Sequence, residues 1–470
     1  MKKTLALLLS ALMLLALTGA ALADDVVTLK WVTVGSGMPA NYESWQQKIN
    51  AYLEEKIGVH IDMEVISWGD WDNRRNVIVN TNEAYDIIFG NDGTYVNDVT
   101  LGAYAEITEE MLKENAPGLL ELIPADYWDA CRVNGAIYAV PTYKDSSMTN
   151  YFVWDKDLLD ANGLDASQAH DLEAIEPILV ALKDKTSEAV YPQNSNGASY
   201  LLSTYDSFSS GLPAIGVRYD DEEMKVVATL EQEDIQANLA ILHKWYGMGL
   251  INADAATHAE SNKYNVCSVA QGWPYAAIST WGPNMGVNAA AYQFGDTIVS
   301  NGTVQGSLNS ISINSAHPDK ALQLLNLVNT DSYVRDSFYY GEEGYNWEYT
   351  ADGRVHKNNS EWTMAGYTQG TFFTTTQLDT EEVNQWEEVK ALNEAATPSV
   401  LLGFFFDTAN VQDELASCIE IYNRYKGEVM TGTTDPTVSV PQMMDEMRAA
   451  GFDDIVAEAQ TQIDAWKASK

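Results

Sequence analysis

The start of this chain alternates between two periodicities, and that alternation limits its fold more than any other feature. Residues 27–34 are apolar and β-branched, end at Gly35-Ser36-Gly37, and read as a strand. Trp45, Ile49, Tyr52, Leu53 and Ile57 then recur on one helical stripe, which Gly58 closes. Residues 60–66 alternate as a second strand, and a short helix is predicted over 68–80. Tyr85-Asp86-Ile87-Ile88-Phe89 is short, apolar and therefore a buried third strand. Strand, helix, strand, helix, strand within about 65 residues requires parallel strands with helical crossovers, hence an α/β lobe.

With 470 residues the chain has room for about three domains, or two large ones. It shows no internal repeat and no Pro-rich linker, so the lobes are expected to be joined by several crossings. Asn134-Gly135 is the pair favoured in two-residue hairpin turns. Residues 150–154 read as a strand, with Asp155 capping the following helix. Ile235, Leu239, Leu242 and Tyr246 stripe another helix, which stops at Gly247 and Gly249. Residues 302–313 read as a returning strand, and Pro318 opens a helix at its favoured first position. The stretch 345–406 is aromatic and expected to be rich in strands; the last 60 residues are expected to be helical, broken at Gly451.

Residues 1–23 read as an export signal. Met1-Lys2-Lys3 is a positive start, and residues 5–17 form an apolar core too short to span a bilayer. Ala21-Leu22-Ala23 fits the rule of small residues flanking the cleavage site, which predicts cleavage after Ala23. Leu17-Thr18-Gly19-Ala20 resembles a bacterial lipoprotein box with alanine at the lipidated position, so no lipid can attach there. The expected destination is extracellular, at the cell surface, or periplasmic.

The chemistry narrows by exclusion. With 67 acidic and 27 basic residues the net charge is −40, which opposes nucleic acid or an anionic membrane as partner. Cys131, Cys267 and Cys418 provide no disulfide framework and are expected to be separate, reduced and buried. The sequence has no G-x-S-x-G elbow, no H-E-x-x-H and no phosphate-binding loop, and its six histidines lack metal-ligand spacing. Gly35-Ser36-Gly37-Met38-Pro39-Ala40 superficially matches a dinucleotide fingerprint. The helical stripe starts too late, however, and Pro39 removes a donor, so the segment reads as a loop between strand and helix. A pair of catalytic carboxylates can be neither inferred nor dismissed among so many acids. No cofactor and no catalytic residue is expected.

The aromatic supply is distinctive: 13 Trp and 25 Tyr against 11 Phe. Trp and Tyr combine a flat apolar face with a polar edge, which matches a sugar ring with its C–H face and belt of hydroxyls. The candidates for such stacking lie in polar, turn-like contexts: Trp68 and Trp71, Tyr143 beside Lys144 and Asp145, Trp273, Trp281, Tyr345 and Trp347. Trp154 and Trp245 lie inside regular patterns and are expected in the core.

Seven segments in order carry a resemblance to a known family. They are 85–89 with its loop Gly90-Asn91-Asp92, 134–141, 151–163, 245–252, 314–321, Gly341-Glu342-Glu343-Gly344, and Gly403 to Asp407. Together they resemble the extracellular solute-binding proteins of bacterial ABC importers, in the large carbohydrate-type subfamily related to LipO that ends in its own C-terminal domain. The resemblance implies an α/β, two-lobe, periplasmic-binding-protein-like (type II) fold with an interlobe cleft and a helical C-terminal extension. It divides the chain into a signal peptide 1–23, an N-lobe of 24–142 plus about 282–332, a C-lobe of about 143–281 plus about 333–400, and a C-terminal segment of about 401–470. It implies a non-enzymatic monomer that captures a soluble carbohydrate, expected to be an oligosaccharide, by hinge closure and passes it to membrane permease subunits. Ser36, Asn91 and Asp92 would serve from the first lobe, Tyr143, Lys144 and Asp145 past the crossing, and Trp273, Trp281, Tyr345 and Trp347 from the second. The rivals are a secreted glycan hydrolase or lyase, and a binding protein for a peptide or other polar solute.

Overall fold

The structure, a computed structural model, describes residues 26–260 and 262–469. The expected signal segment, its cleavage site and Ala20 lie outside the described residues.

The opening alternation builds the first sheet. Strands Val59–Ser67, Val27–Gly35 and Ile87–Gly90 lie side by side and parallel. Helices Tyr42–Ile57 and Trp71–Thr81 make the crossovers. Gly58 ends the first helix with φ 65°, its N–H bonding Glu54 O at 3.0 Å. Leu308–Ile311 and then Ala139–Pro141 extend the sheet, with antiparallel pairing. The second sheet is centred on Met148–Asp155, with Cys267–Gln271 on one side and Ala289–Val299 on the other, both antiparallel. Thr397–Pro398 pairs parallel at its edge. The local signals act as expected: Asn134 and Gly135 turn with φ 51° and 85°, and Asp155 Oδ1 accepts from Leu158 N at 3.0 Å.

Two expectations are corrected. Within 302–313 only Leu308–Ile311 is strand; Asn301–Val304 is one helical turn. Its start is a capping box, with Ser300 Oγ accepting from Thr303 N and Ser300 N donating to Thr303 Oγ1 at 2.9 Å. The stretch 345–406 is mainly loop, with short strands Trp347–Tyr349, Val355–Lys357 and Thr397–Pro398 and the helix Gln385–Ala395. Its aromatics plug separate sites and do not alternate across a sheet. Phe372, for example, stacks on Trp386 with centroids 4.2 Å apart.

Each sheet has its own core. In the first, Phe338 meets Trp31 and Trp45 at 5.6 and 5.3 Å. In the second, Trp154 and Trp245 are fully buried, and the same core takes in Met430, Met443, Met444 and Met447 from the C-terminal helices. Those helices, Gln412–Met430, Pro436–Ala449 and Phe452–Ser469, thus share one core with the second lobe. The three cysteines are free and buried.

Among the described residues the chain passes between these two larger sheets three times, at 142–147, 300–307 and 373–396. The later crossings differ from the division implied by the resemblance. Ala289–Val299 belongs to the second sheet, and Val334, Phe338 and Met364 pack in the first core. Phe338 decides the latter: its ring fills the gap between Trp31 and Trp45, a contact with partners some 300 residues away.

Candidate ligand-binding cleft

Where the crossings meet, a cavity of about 740 Å³ opens between the lobes. That is within the usual range for small-molecule sites. The first lobe contributes Asp92, from the loop at the carboxyl end of Ile87–Gly90. This is where open α/β sheets place their ligands. Asp92 is exposed to the cleft, and partial desolvation by the surrounding protein raises its carboxyl above the usual aspartate value. Gly302, on the second crossing, stands beside it; a Cβ there would sit 3.9 Å from Asp92 Oδ2.

The first crossing contributes Lys144 and Asp145. Lys144 Nζ pairs with Asp145 at 2.7 Å and stands 5.5 Å from the centre of the Tyr367 ring. Asn393 braces this crossing, donating to Lys144 O at 2.5 Å and accepting from Ser147 N at 2.9 Å. Tyr367 lies on a loop tied down by buried polar groups of the first lobe. Ser307 Oγ donates to Tyr367 O at 3.0 Å, Asn309 Nδ2 to Thr368 O at 3.0 Å, and Arg335 to Gly366 O and Thr371 O at 2.6 and 2.5 Å. Tyr367 and the following Phe372 both line the cavity.

The second lobe contributes Tyr205, Asp206, Tyr219, Gln271 and Trp273. The two tyrosines are anchored by their edges: Tyr205 donates to Asp234 at 2.9 Å and Tyr219 to Asp296 at 2.7 Å. Burial, reinforced by those carboxylates, pushes both phenols up to about 12, so they remain neutral at any physiological pH. Trp273 Nε1 donates to Gln385 Oε1 at 3.2 Å. Asp206 accepts from Ser399 Oγ at 2.6 Å and from Phe208 N at 2.8 Å. Burial outweighs these bonds and raises its carboxyl above the ordinary value. Phe208 and Ser209, next along this loop, both have positive φ, 45° and 54°. Non-glycine residues in that region store strain, which is characteristic of binding loops.

A raised folded-state value for an acid means the folded chain holds the proton more firmly than the unfolded chain. Stability is then lost as pH rises through that value. Asp206→Asn is therefore expected to raise the unliganded melting temperature at pH 7. The gain should disappear below about pH 3.9, where the aspartate is protonated in both states. A shift independent of pH in a melting series would refute this.

The cavity brings together Asp92, Lys144, Asp145 and Trp273 of the residues expected from sequence. Trp68 stands beside it, half exposed and stacked on Tyr367 with centroids 6.2 Å apart. Others are placed elsewhere. Tyr143 is buried between the rings of Tyr127 and Phe373, and Trp71 is buried against Phe89. Trp347 has no exposure at all; its Nε1 donates to Gly341 O at 2.7 Å and its ring is boxed by tyrosines. Tyr345 is exposed but outside the cavity lining, with its hydroxyl on Glu361. Trp281 lies against Tyr151 and Gly272, also outside the lining. Asn91 spends its side-chain oxygen on Gly93 N. Ser36 is tied to the 363–365 segment through Thr363 O, and that segment passes so close that Gly35 has no room for a Cβ.

Sequence reasoning missed Tyr205, Tyr219, Tyr367, Asp206 and Gln271. Tyr205 in Ser203-Thr204-Tyr205-Asp206 and Tyr367 in Ala365-Gly366-Tyr367-Thr368 have the polar, turn-like setting that selected the other aromatics. The signal was available for these two; nothing local distinguishes Gln271.

Known proteins fit this architecture. A family model described as bacterial extracellular solute-binding protein matches residues 35–335, and a domain of unknown function (DUF3502) matches residues 400–468. The chain is 29% identical over 473 residues to a carbohydrate ABC transporter substrate-binding protein of Streptococcus pneumoniae serotype 4 (strain ATCC BAA-334 / TIGR4), covering 96% of this chain and 93% of that protein. Among solved structures, the N-glycan transport solute binding protein NgtS of Streptococcus pneumoniae superposes with a TM-score of 0.85 at 27% identity, covering 94% of this chain and 100% of the other. The same protein in complex with Man1GlcNAc superposes with a TM-score of 0.77 at 26% identity, covering 93% and 99%. Two lobes, three crossings, a cleft at the strand ends and a family match over most of the chain lead to one conclusion: this chain belongs to the bacterial extracellular solute-binding proteins.

Proposed function

We propose that this chain is the substrate-binding component of an ABC importer and captures a soluble oligosaccharide in the interlobe cleft. The observation that carries this reading is the composition of the cavity. Aromatic rings from both lobes, Tyr367 from one and Tyr205, Tyr219 and Trp273 from the other, share it with carboxylates and the Gln271 amide, which can take hydroxyl groups. Asp92, Lys144, Asp145 and Asp206 orient the ligand, the rings take its C–H faces, and Trp68 guards the rim. Contacts from both lobes make the closed form the one that ligand favours. Membrane permease subunits then receive the ligand chemically unchanged, so the protein is not an enzyme. The names of its Streptococcus pneumoniae relatives support this choice over a hydrolase, a lyase or a peptide binder. The chain is exported as a monomer, with the signal cleaved after Ala23 and no lipid at Ala20.

The test uses residues 24–470 and a panel of neutral oligosaccharides. A bound sugar at a hundredfold excess over its Kd stabilises the protein by about 2.7 kcal/mol. The expected result is a raised melting temperature with altered tryptophan fluorescence, and unchanged sugar by chromatography. Cleaved products would replace this reading with the enzymatic one.

A further inference from the structure

A second chamber of about 220 Å³ adjoins the main cavity, and Asp92 and Ser209 line both. Three parts of the fold meet there: helix Tyr95–Thr100 of the first lobe, the strained 208–210 loop of the second, and the start of the C-terminal segment, through Phe405 and Gln412. That start is wedged between the lobes. Phe404 and Phe406 pack in the second core, while Leu402 and Phe405 pack against the first. Asn301 holds the wedge, donating to Phe404 O at 2.6 Å and accepting from Gly403 N at 2.8 Å.

The lining mixes polar groups with apolar ones, Phe208 and Phe404 to Phe406 among them, and is nearly neutral. Its cation, Arg132, is already engaged by Asp129 at 2.8 Å and by Gly135 O at 3.0 Å. Gln305 is 4% exposed; its Nε2 donates to Ala130 O at 2.7 Å, and its Oε1 is buried with no partner among the described residues. A buried acceptor left unpaired is costly; Gln305 lines the chamber, so a small shift of its side chain would present that oxygen to a ligand hydroxyl. An anionic group would meet Asp92 at the entrance instead.

We propose that this side chamber is a subsite for one neutral sugar residue of the ligand, and that the C-terminal segment provides its wall. The proposal rests on the oligosaccharide reading above and extends it. A ligand that fills the main cleft continues past Asp92 and Ser209, by a longer chain or by a branch, and its last ring sits against Asn97, Gln305 and Gln412. The C-terminal segment then selects ligand size and is more than a brace for the second lobe.

The experiment measures calorimetric affinities for linear and branched neutral oligosaccharides, from disaccharide to hexasaccharide. It compares the wild type with Asn97→Trp, Gln412→Trp and Gln305→Leu. Asn97 and Gln412 are exposed, so bulk there fills the chamber without entering a core; melting curves check that each variant is folded. The wild type is expected to gain about fivefold or more in affinity once a sugar outgrows the main cleft. All three variants should lose that gain and bind the short sugars as the wild type does. Filled variants that keep full affinity for the longest sugars would overturn the subsite, as would equal losses for short and long. If the wild type binds no sugar at all, the oligosaccharide reading fails; if short sugars bind and added residues change nothing, only the subsite fails.

Discussion

Replacing Asp98 with alanine is expected to destabilise the first lobe by about 3–5 kcal/mol, the usual cost of stranding a buried charge. Asp98 is completely buried on helix Tyr95–Thr100, and Arg75 on helix Trp71–Thr81 is nearly so. The guanidinium and carboxylate are in direct contact, and Tyr104 donates to the same carboxylate at 2.8 Å. Among the described residues nothing else offers Arg75 a charge: its other bond is to Asn76 Oδ1 at 2.8 Å, and its Nε has no partner there. Removing the carboxylate leaves a cation in the core and a phenol without an acceptor. Removing both charges, as in Arg75→Met with Asp98→Leu, should recover most of the loss, because well-packed apolar pairs often replace buried ion pairs at little cost. Urea unfolding of the two variants decides between the possibilities. A single variant that unfolds at the wild-type midpoint would show that the pair is not structurally important.

The second large effect is on binding. Tyr367→Ala and Trp273→Ala are each expected to cost about 1–3 kcal/mol of oligosaccharide affinity, by analogy with base–aromatic stacking. That is about fivefold to 150-fold in Kd. The two rings have different anchors: Tyr367 its hydrogen-bonded loop on the first lobe, Trp273 the side chain of Gln385 and the ring of Trp386, 5.7 Å away, on the third crossing. Both rings also pack against the Phe372 and Trp386 cluster, so the double variant is expected to depart from simple addition. Trp347→Ala and Tyr143→Ala provide the contrast. Both rings are core, so these variants should lower the melting temperature, while the protein that remains folded binds as before. Titration calorimetry on all four separates the cases, and an unchanged affinity in both cleft variants would end the stacking argument.

Much of the architecture was legible because it is written in near neighbours. The spacing from Trp45 to Ile57, the left-handed Gly58, the Asn134-Gly135 turn and the Asp155 cap each need only a few adjacent residues, and each folds as read. The aromatics were harder. Trp68, Trp273 and Trp347 all sit in polar, turn-like sequence, yet one is half exposed at the rim, one lines the cavity and one has no exposure. Local polarity shows where the backbone turns, and says nothing of which distant ring will cover a side chain. For Trp347 the covering comes from Tyr333, Tyr340 and Tyr349.

The amino-acid order alone therefore determined the class of lobe, its crossover topology, the helical C-terminal end and the absence of the best-known catalytic motifs, since all of these follow from short-range periodicity and spacing. Tertiary structure alone decided the membership of the cleft. Asp92, Lys144, Tyr205, Trp273, Tyr367 and Ser399 come from six separate stretches, and only the three crossings bring them to one cavity. No local pattern records such a meeting, because the contacts that fix it lie hundreds of residues apart along the chain.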